Sequence, residues 1–229
     1  GSLNFAYALY LSLRSQGMAE TQIQNIVKRW FVMSMLTGRY SGSSESNIER
    51  DSKQILEKGI TAYLTQIENN ELDNGFWDYR LVDDLETSST VNSAYLCYLA
   101  AQCKHNESVF LSESMSARNL LEQTSNANVH HIFPKKYLER NGFKKSEYNQ
   151  VANYVYTEQQ INIKLADMAP KEYMQKVLDE LQQKEIATQD HSQSLSEFTS
   201  LKNRTDLAHN MKINSIGDSL FEADYTTYN

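Results

Sequence analysis

The chain has 229 residues, 40% of them hydrophobic and 22% charged, the make-up of an ordinary globular chain and not of a disordered one. Only 8 Gly and 2 Pro occur, which favours helix, and no run of roughly 18 apolar residues exists, which excludes an apolar membrane span. The net charge of −7 counts against a protein that coats nucleic acid by bulk electrostatics but leaves room for a locally basic site. Cys97 and Cys103 are too far apart for a CxxC site and too few for a disulfide framework, so a reducing cytoplasm is the expected compartment. Gly1-Ser2, with no Met, reads as the remnant of a cleaved expression tag on a piece of a longer protein.

Helical periodicity dominates the first half. Ile23, Ile26, Val27, Trp30 and Phe31 form one apolar face that ends near Gly38. After the polar loop Ser41-Gly42-Ser43-Ser44, a second face runs through Leu56, Ile60, Tyr63, Leu64 and Ile67. Turn formers over 70–80 break that pattern, and 91–101 reads as a short apolar helix; the mixed stretch 107–126 has no clear assignment. Asn128 to Phe133 has strand composition and is stopped by Pro134, and Asn153 to Thr157 is a second strand. A polar helix follows over about 158–168. Pro170 opens another with Tyr173, Val177, Leu178 and Leu181 on one side. A last helix over about 195–211 turns Leu195, Phe198, Leu201, Ala208 and Met211 inward. The expectation is a mainly α protein: a helical domain over 3–127, a compact strand–strand–helix unit over 128–170, and C-terminal helices over 171–229 packing on the helical domain.

The stretch that carries chemistry is His130-His131-Ile132-Phe133-Pro134. Adjacent residues on a strand point to opposite faces, so the two imidazoles should diverge unless the strand bends there. Downstream, Asn153 enters the second strand and Asn162 sits on the following helix. A strand ending in His, a loop, an Asn entering a second strand and a ligand-type residue on a helix resemble the ββα-metal motif of HNH endonucleases. The wider runs His130 to Leu138, Val151 to Thr157 and Ile161 to Tyr173 resemble the DUF1524 type of HNH nuclease, found at the C-terminus of DUF262-containing proteins of the GmrSD restriction type. Arg29-Trp30-Phe31 and the run Thr37 to Ser44 resemble the helical region joining those two domains. The likeness extends over about 20–215 and is specific in 128–173.

That resemblance implies a metal-dependent DNA endonuclease, the effector region of a modification-dependent restriction or phage-defence protein whose DUF262-like nucleotide-hydrolysing domain is not in this chain. It gives His131 the role of general base toward an attacking water, a task suited to an imidazole titrating near neutral pH. It places one divalent metal ion (Mg²⁺ or Mn²⁺, with Ni²⁺ or Co²⁺ also suited to imidazole) on His130 and Asn162. No organic cofactor is implied. Asn153 is expected to orient His131 or brace the loop without touching the metal. Asp167 is not cleanly on the face of Asn162 and is not assigned a role.

From Val129 to Glu147 five basic residues, Lys135, Lys136, Arg140, Lys144 and Lys145, stand against two Glu, a net +3 beside the histidines. The four lysines among them, Lys135, Lys136, Lys144 and Lys145, are with Lys164 the candidate nucleic-acid contacts, made to the backbone more than to bases. Each residue also has a plainer reading. A His pair is commonly just hydrogen-bonded, lysines commonly a solvated face, and Trp30, Phe31, Met33 and Met35 core packing. His105, His191 and His209 have no partners in sequence, and Cys97 and Cys103 read as buried small apolar residues. A catalytically degenerate interaction module and an RNA-directed nuclease remain as alternatives. The part played by Arg39 and Tyr40 is open.

Overall fold

The computed structural model describes residues 1–123, 129–190, 197–222 and 224–228, with the backbone alone at 188–190 and 228. Asn128, His191 and Leu195 lie outside them. The protein is mainly helical, with one two-stranded sheet among the described residues. Among the described residues no helix is long and apolar enough to cross a membrane.

The chain divides into two compact units, Gly1–Glu86 with Thr90–Tyr98, and Thr87–Ser89 with Leu99–Asn229. This cut differs from the three-part division expected. The strand region and the C-terminal helices belong to one unit with a shared core, and the long helical domain ends at Tyr98, short of 127.

In the first unit, α1 (Ser2–Ser15) buries Phe5, Ala6, Leu9 and Leu13, and α2 (Glu20–Leu36) answers with Ile23, Ile26, Trp30 and Met33. Both stripes follow the 3.6-residue period, so the two helices close on one another. Phe5 stacks on Trp30 at 5.1 Å, and Trp30 is wholly inaccessible. Next come α3 (Ser44–Lys58) and α4 (Ile60–Glu71), which the periodicity had joined into one face. Gly59 separates them at φ +79° and ψ 147°, a conformation that a side chain strongly disfavours, so the chain turns there. Leu56 is consequently 86% exposed, and the apolar face belongs to α4 alone, through Ile60, Tyr63, Leu64 and Ile67. The expected break over 70–80 shrinks to Leu72 and Asp73. Asp73 accepts the Phe76 N–H at 2.8 Å, and the chain re-enters helix as a π-turn (Phe76–Arg80) that runs into α5 (Leu81–Leu85). The apolar stretch near 91–101 forms α6 (Ser93–His105), in which Cys97 and Cys103 are half-buried instead of buried.

The second unit holds the sheet. The mixed stretch resolves into a buried Val109-Phe110-Leu111 turn and α7 (Ala117–Gln123). Strand β1 (Val129–His131) pairs antiparallel with β2 (Tyr154–Tyr156), matching Val129 to Tyr156, His130 to Val155 and His131 to Tyr154. Between them lie α8 (Lys135–Arg140), α9 (Lys145–Tyr148) and a 3₁₀ turn (Val151–Asn153). Then follow α10 (Gln159–Leu165) and α11 (Pro170–Asp190), opened by Pro170 as expected, with Tyr173, Val177 and Leu181 buried and Leu178 partly so. The last long helix, α12 (Arg204–Ile213), starts nine residues later than the expected 195. Asn203 caps it by accepting the Asp206 N–H at 2.9 Å, so Phe198 and Leu201 precede the helix, and Ala208 is exposed. A 3₁₀ turn (Asp218–Phe221) and α13 (Tyr225–Tyr228) complete the unit.

Candidate functional site

The β1–β2 pairing places the two histidines as strand alternation demands. His130 points into the unit, 4% exposed, and His131 is half-buried on the other side. Behind His130 stands α10. Its Asn162 presents Oδ1 at 2.5 Å from His130 Nδ1, joining residues 32 apart in the chain. His130 Nε2 is buried with no hydrogen-bond partner among the described residues. Burial pushes the His130 imidazole down to about 4, against the Asn162 contact, so the ring is neutral near pH 7 and holds a lone pair.

His131 meets different neighbours. Its Nε2 lies 3.3 Å from Asn149 Oδ1, and the ring edges contact Tyr154 at 5.1 Å and Tyr148 at 6.3 Å between centroids. Burial lowers its pKa, the Asn149 contact opposes this, and the nearby Lys135 ammonium lowers it further. Asn149 is a site residue that the sequence reading missed. Asn is common in such turns, and nothing local distinguishes it.

Asn153 makes no hydrogen bond to either histidine. Its Oδ1 accepts the Phe133 N–H at 2.8 Å, and its Nδ2 donates to Phe133 O at 3.2 Å and Tyr148 O at 3.1 Å. Of the two roles expected for it, the geometry matches the brace. The 1%-exposed amide ties the end of β1 to the end of α9, holding His131 and Asn149 on facing segments. Tyr173 adds a second pin by donating to Ile132 O at 2.8 Å.

The basic residues are less concentrated than their sequence suggests. Lys135 is next to His131 and shares Glu139 at 3.8 Å. Arg140 is committed to Asp167, with Nη1 at 3.0 Å from the carboxylate and Nη2 donating to the carbonyl at 2.9 Å. Lys136, Lys144, Lys145 and Lys164 are exposed, and among the described residues none pairs with a carboxylate. His105 and His209 are exposed as well.

Among the described residues no group of three or more His, Cys, Asp or Glu can hold a metal ion. The donor set that could take one is His130 with Asn162, a neutral imidazole and an amide oxygen already in contact. At 2.5 Å from an amide oxygen that only accepts, Nδ1 carries the ring hydrogen, so holding an ion between this pair would require that proton to move to Nε2 and the contact to open. The unpartnered Nε2 provides no outer acceptor to pin the ring's tautomer, as ligating histidines usually have. These residues would at most hold an ion weakly. They do not fit a closed structural site.

The largest polar cluster lies in the first unit and answers the open question about Arg39 and Tyr40. Arg39 forks onto Asp51, Nε donating at 2.7 Å and Nη2 at 2.6 Å, and its Nη1 donates to Glu71 at 2.6 Å. Tyr40 and Tyr63 donate to the same Asp51 at 2.7 and 3.0 Å, and Trp30 Nε1 donates to the Tyr40 hydroxyl at 3.2 Å. Asp51 is fully buried, and every charge in its shell is matched. This network ties the segment after α2 to α3 and α4.

No family model and no solved structure matches the chain. An uncharacterized protein of Methanocaldococcus jannaschii is similar to it, 24% identical over 155 residues that cover 67% of this chain. The match takes in 25% of that protein, so the chain spans about a quarter of its length.

Proposed function

We propose that the second unit is a metal-dependent endonuclease of the HNH type that hydrolyses DNA phosphodiesters. The observation that carries this reading is the meeting of Asn162 with His130 across 32 residues, on a strand–strand–helix frame, with His131 the next residue of the strand and turned to its other side. Their contact puts two metal-type donors together at the end of a strand whose next residue is a second imidazole.

In this reading His130 and Asn162 would hold one divalent ion, which would supply Lewis-acid stabilisation of the charge that develops on the phosphate and the departing oxygen. His131 takes the proton of a water whose oxygen forms the new bond to phosphorus as the bond to the 3′ oxygen breaks. The products are a 5′ phosphate and a 3′ hydroxyl. General-base assistance of this kind is worth roughly 10²–10⁴-fold. Asn153 keeps the loop from moving the base away from the ion site. Lys135, with Lys136, Lys144, Lys145 and Lys164, contacts the nucleic-acid backbone. A place in a restriction or phage-defence protein, working in the cytoplasm with a nucleotide-hydrolysing partner domain, belongs to the same proposal and rests on the sequence resemblance alone.

A second reading, a catalytically degenerate interaction module, is favoured by one feature: the donor pair contains no carboxylate. The two readings separate in a supercoiled-plasmid nicking assay with Mg²⁺, Mn²⁺ or Ni²⁺ and an EDTA control, run beside folded His131→Ala. Metal-dependent nicking lost in the variant is the expected result. Equal nicking by both proteins rejects His131 as the base, and no nicking by either favours the degenerate module. The same assay on a matched RNA decides between DNA and RNA as substrate.

A further inference from the structure

The site contains a residue that neither the motif nor its resemblance assigns. Asn149 follows α9, and its backbone is fixed by its own N–H to Lys145 O at 3.0 Å. The chain on either side is also anchored. Tyr148 O takes the Asn153 amide at 3.1 Å, and the Val151 N–H donates to Thr87 O at 2.7 Å. The facing histidine is equally constrained, because Ile132, the next residue, donates to Asn153 O at 2.9 Å and accepts from Tyr173. Two rigid segments thus hold the Asn149 side-chain oxygen 3.3 Å from His131 Nε2, while Tyr148 and Tyr154 frame the ring edge-on.

We propose that Asn149 is the positioning residue of His131: its amide oxygen accepts the Nε2 proton and so leaves the Nδ1 lone pair as the atom that receives a proton from water. This rests on the nuclease reading for its catalytic consequence, but the tautomer itself is independent of it. An amide oxygen accepts and does not donate, so a neutral ring bound to it through Nε2 carries its hydrogen there. The other nitrogen is then bare, with its lone pair lying in the ring plane on the backbone side. Losing the outer partner of a metal-ligating histidine typically costs roughly 10–100-fold, and a loss of at least tenfold is expected for this base.

The test uses ¹⁵N-labelled protein without metal at about pH 8.5, where a histidine near its ordinary pKa is neutral. Long-range ¹H–¹⁵N spectra of the ring, assigned with His131→Ala, read the tautomer directly. The expected result is an Nε2–H tautomer in the wild type, with that proton exchanging with water roughly fivefold faster in Asn149→Ala. Asn149→Asp, which keeps an acceptor, retains the slow exchange and guards against a folding artefact in the alanine variant. A wild-type Nδ1–H tautomer overturns the proposal, as does an Nε2–H proton that exchanges equally fast with and without Asn149. Nicking kinetics form the separate arm. Asn149→Ala is expected to lower kcat at least tenfold with KM unchanged, and Asn149→Asp to recover most of it. Nicking absent from every protein, the wild type included, favours the degenerate module over the nuclease reading, while the spectra still decide the role of Asn149.

Discussion

Replacing Asp51 by Asn changes one atom in the centre of the first unit and should cost much of that unit's stability. The carboxylate accepts four hydrogen bonds, two from Arg39 and one each from Tyr40 and Tyr63, and none of its surface reaches water. An amide of the same shape can accept on one side only, so about two of those bonds are lost and an N–H₂ faces donors. At roughly 1.5–3 kcal/mol for each bond to a charged group, the loss is about 3–6 kcal/mol. Breaking a buried ion pair by removing one partner independently suggests about 3–5 kcal/mol. The assay is built into the sequence. The chain has 2 Trp, and both lie in this unit, Trp30 within the network and Trp77 near its edge. Urea unfolding followed by tryptophan fluorescence therefore reports on this unit. A loss below about 1 kcal/mol would refute the view that the network is tightly coupled. The double variant Arg39→Met with Asp51→Leu sharpens the test. It removes both buried ions and leaves Glu71, whose side chain is 35% exposed, hydrated. Its cost should fall well short of the sum of the single variants, and strict additivity would show that the charges do not depend on one another.

Acid should weaken the same unit in a defined window. Burial pushes the Asp51 carboxyl up, but the hydrogen bonds from Arg39, Tyr40 and Tyr63 more than offset it, so its folded-state pKa lies below the ordinary 3.8. The unfolded chain then binds the proton first. The network's contribution is complete above about pH 4 and drains as pH falls from there through the folded-state value. The fluorescence-detected urea midpoint should therefore drop more steeply below pH 4 in the wild type than in Asp51→Asn. Gly59→Ala, at φ +79°, should cost about 1–3 kcal/mol in the same measurement, because an L side chain is strained there. In the second unit, Asn210 accepts the Leu111 N–H at 2.9 Å and donates to Val109 O at 3.0 Å, so Asn210→Ala should cost about 2–4 kcal/mol in a circular-dichroism melt. If the nuclease reading holds, Lys135→Ala with Lys136→Ala should weaken binding to all DNA sequences alike and flatten the salt dependence by about 1 per lost phosphate contact, measured by fluorescence anisotropy.

The parts of this fold that were legible in sequence are those governed by local periodicity. The apolar stripes of α2 and α11, the strand composition on either side of the two hairpin-distant segments, and Pro170 at a helix start each depend on a few neighbouring residues. The failures share a cause. Leu56 continues the helical period of Ile60 and Tyr63 perfectly well, and only the backbone reversal at Gly59 removes it from the face. Asp73 looks like a helix breaker by composition, yet its side chain restarts the helix by capping Phe76. Phe198 and Leu201 have helical spacing with Leu207 and Met211, but Asn203 caps the chain between them.

The site divides along the same line. The alternation of a strand is local, so the divergence of His130 and His131 could be read directly. Asn162 was reached through the resemblance, since nothing in its own neighbourhood demands a partner on a strand 32 residues earlier. Asn149 and Asn153 illustrate what remains hidden. Both are Asn in the same short polar stretch, and composition offers no reason to prefer one over the other. Asn153 was given the choice of orienting His131 or bracing the loop. The structure assigns it three backbone hydrogen bonds and hands the imidazole to Asn149. The two jobs are separable only after the loop closes, because each depends on where Phe133 and Tyr148 sit and not on the asparagine itself. An amide whose donors and acceptor are all spent on backbone is a rigid brace and has nothing left for chemistry. One that meets a histidine ring with its oxygen can set which nitrogen keeps the proton. Side-chain identity was the same in both; the neighbours supplied by the fold decide the role.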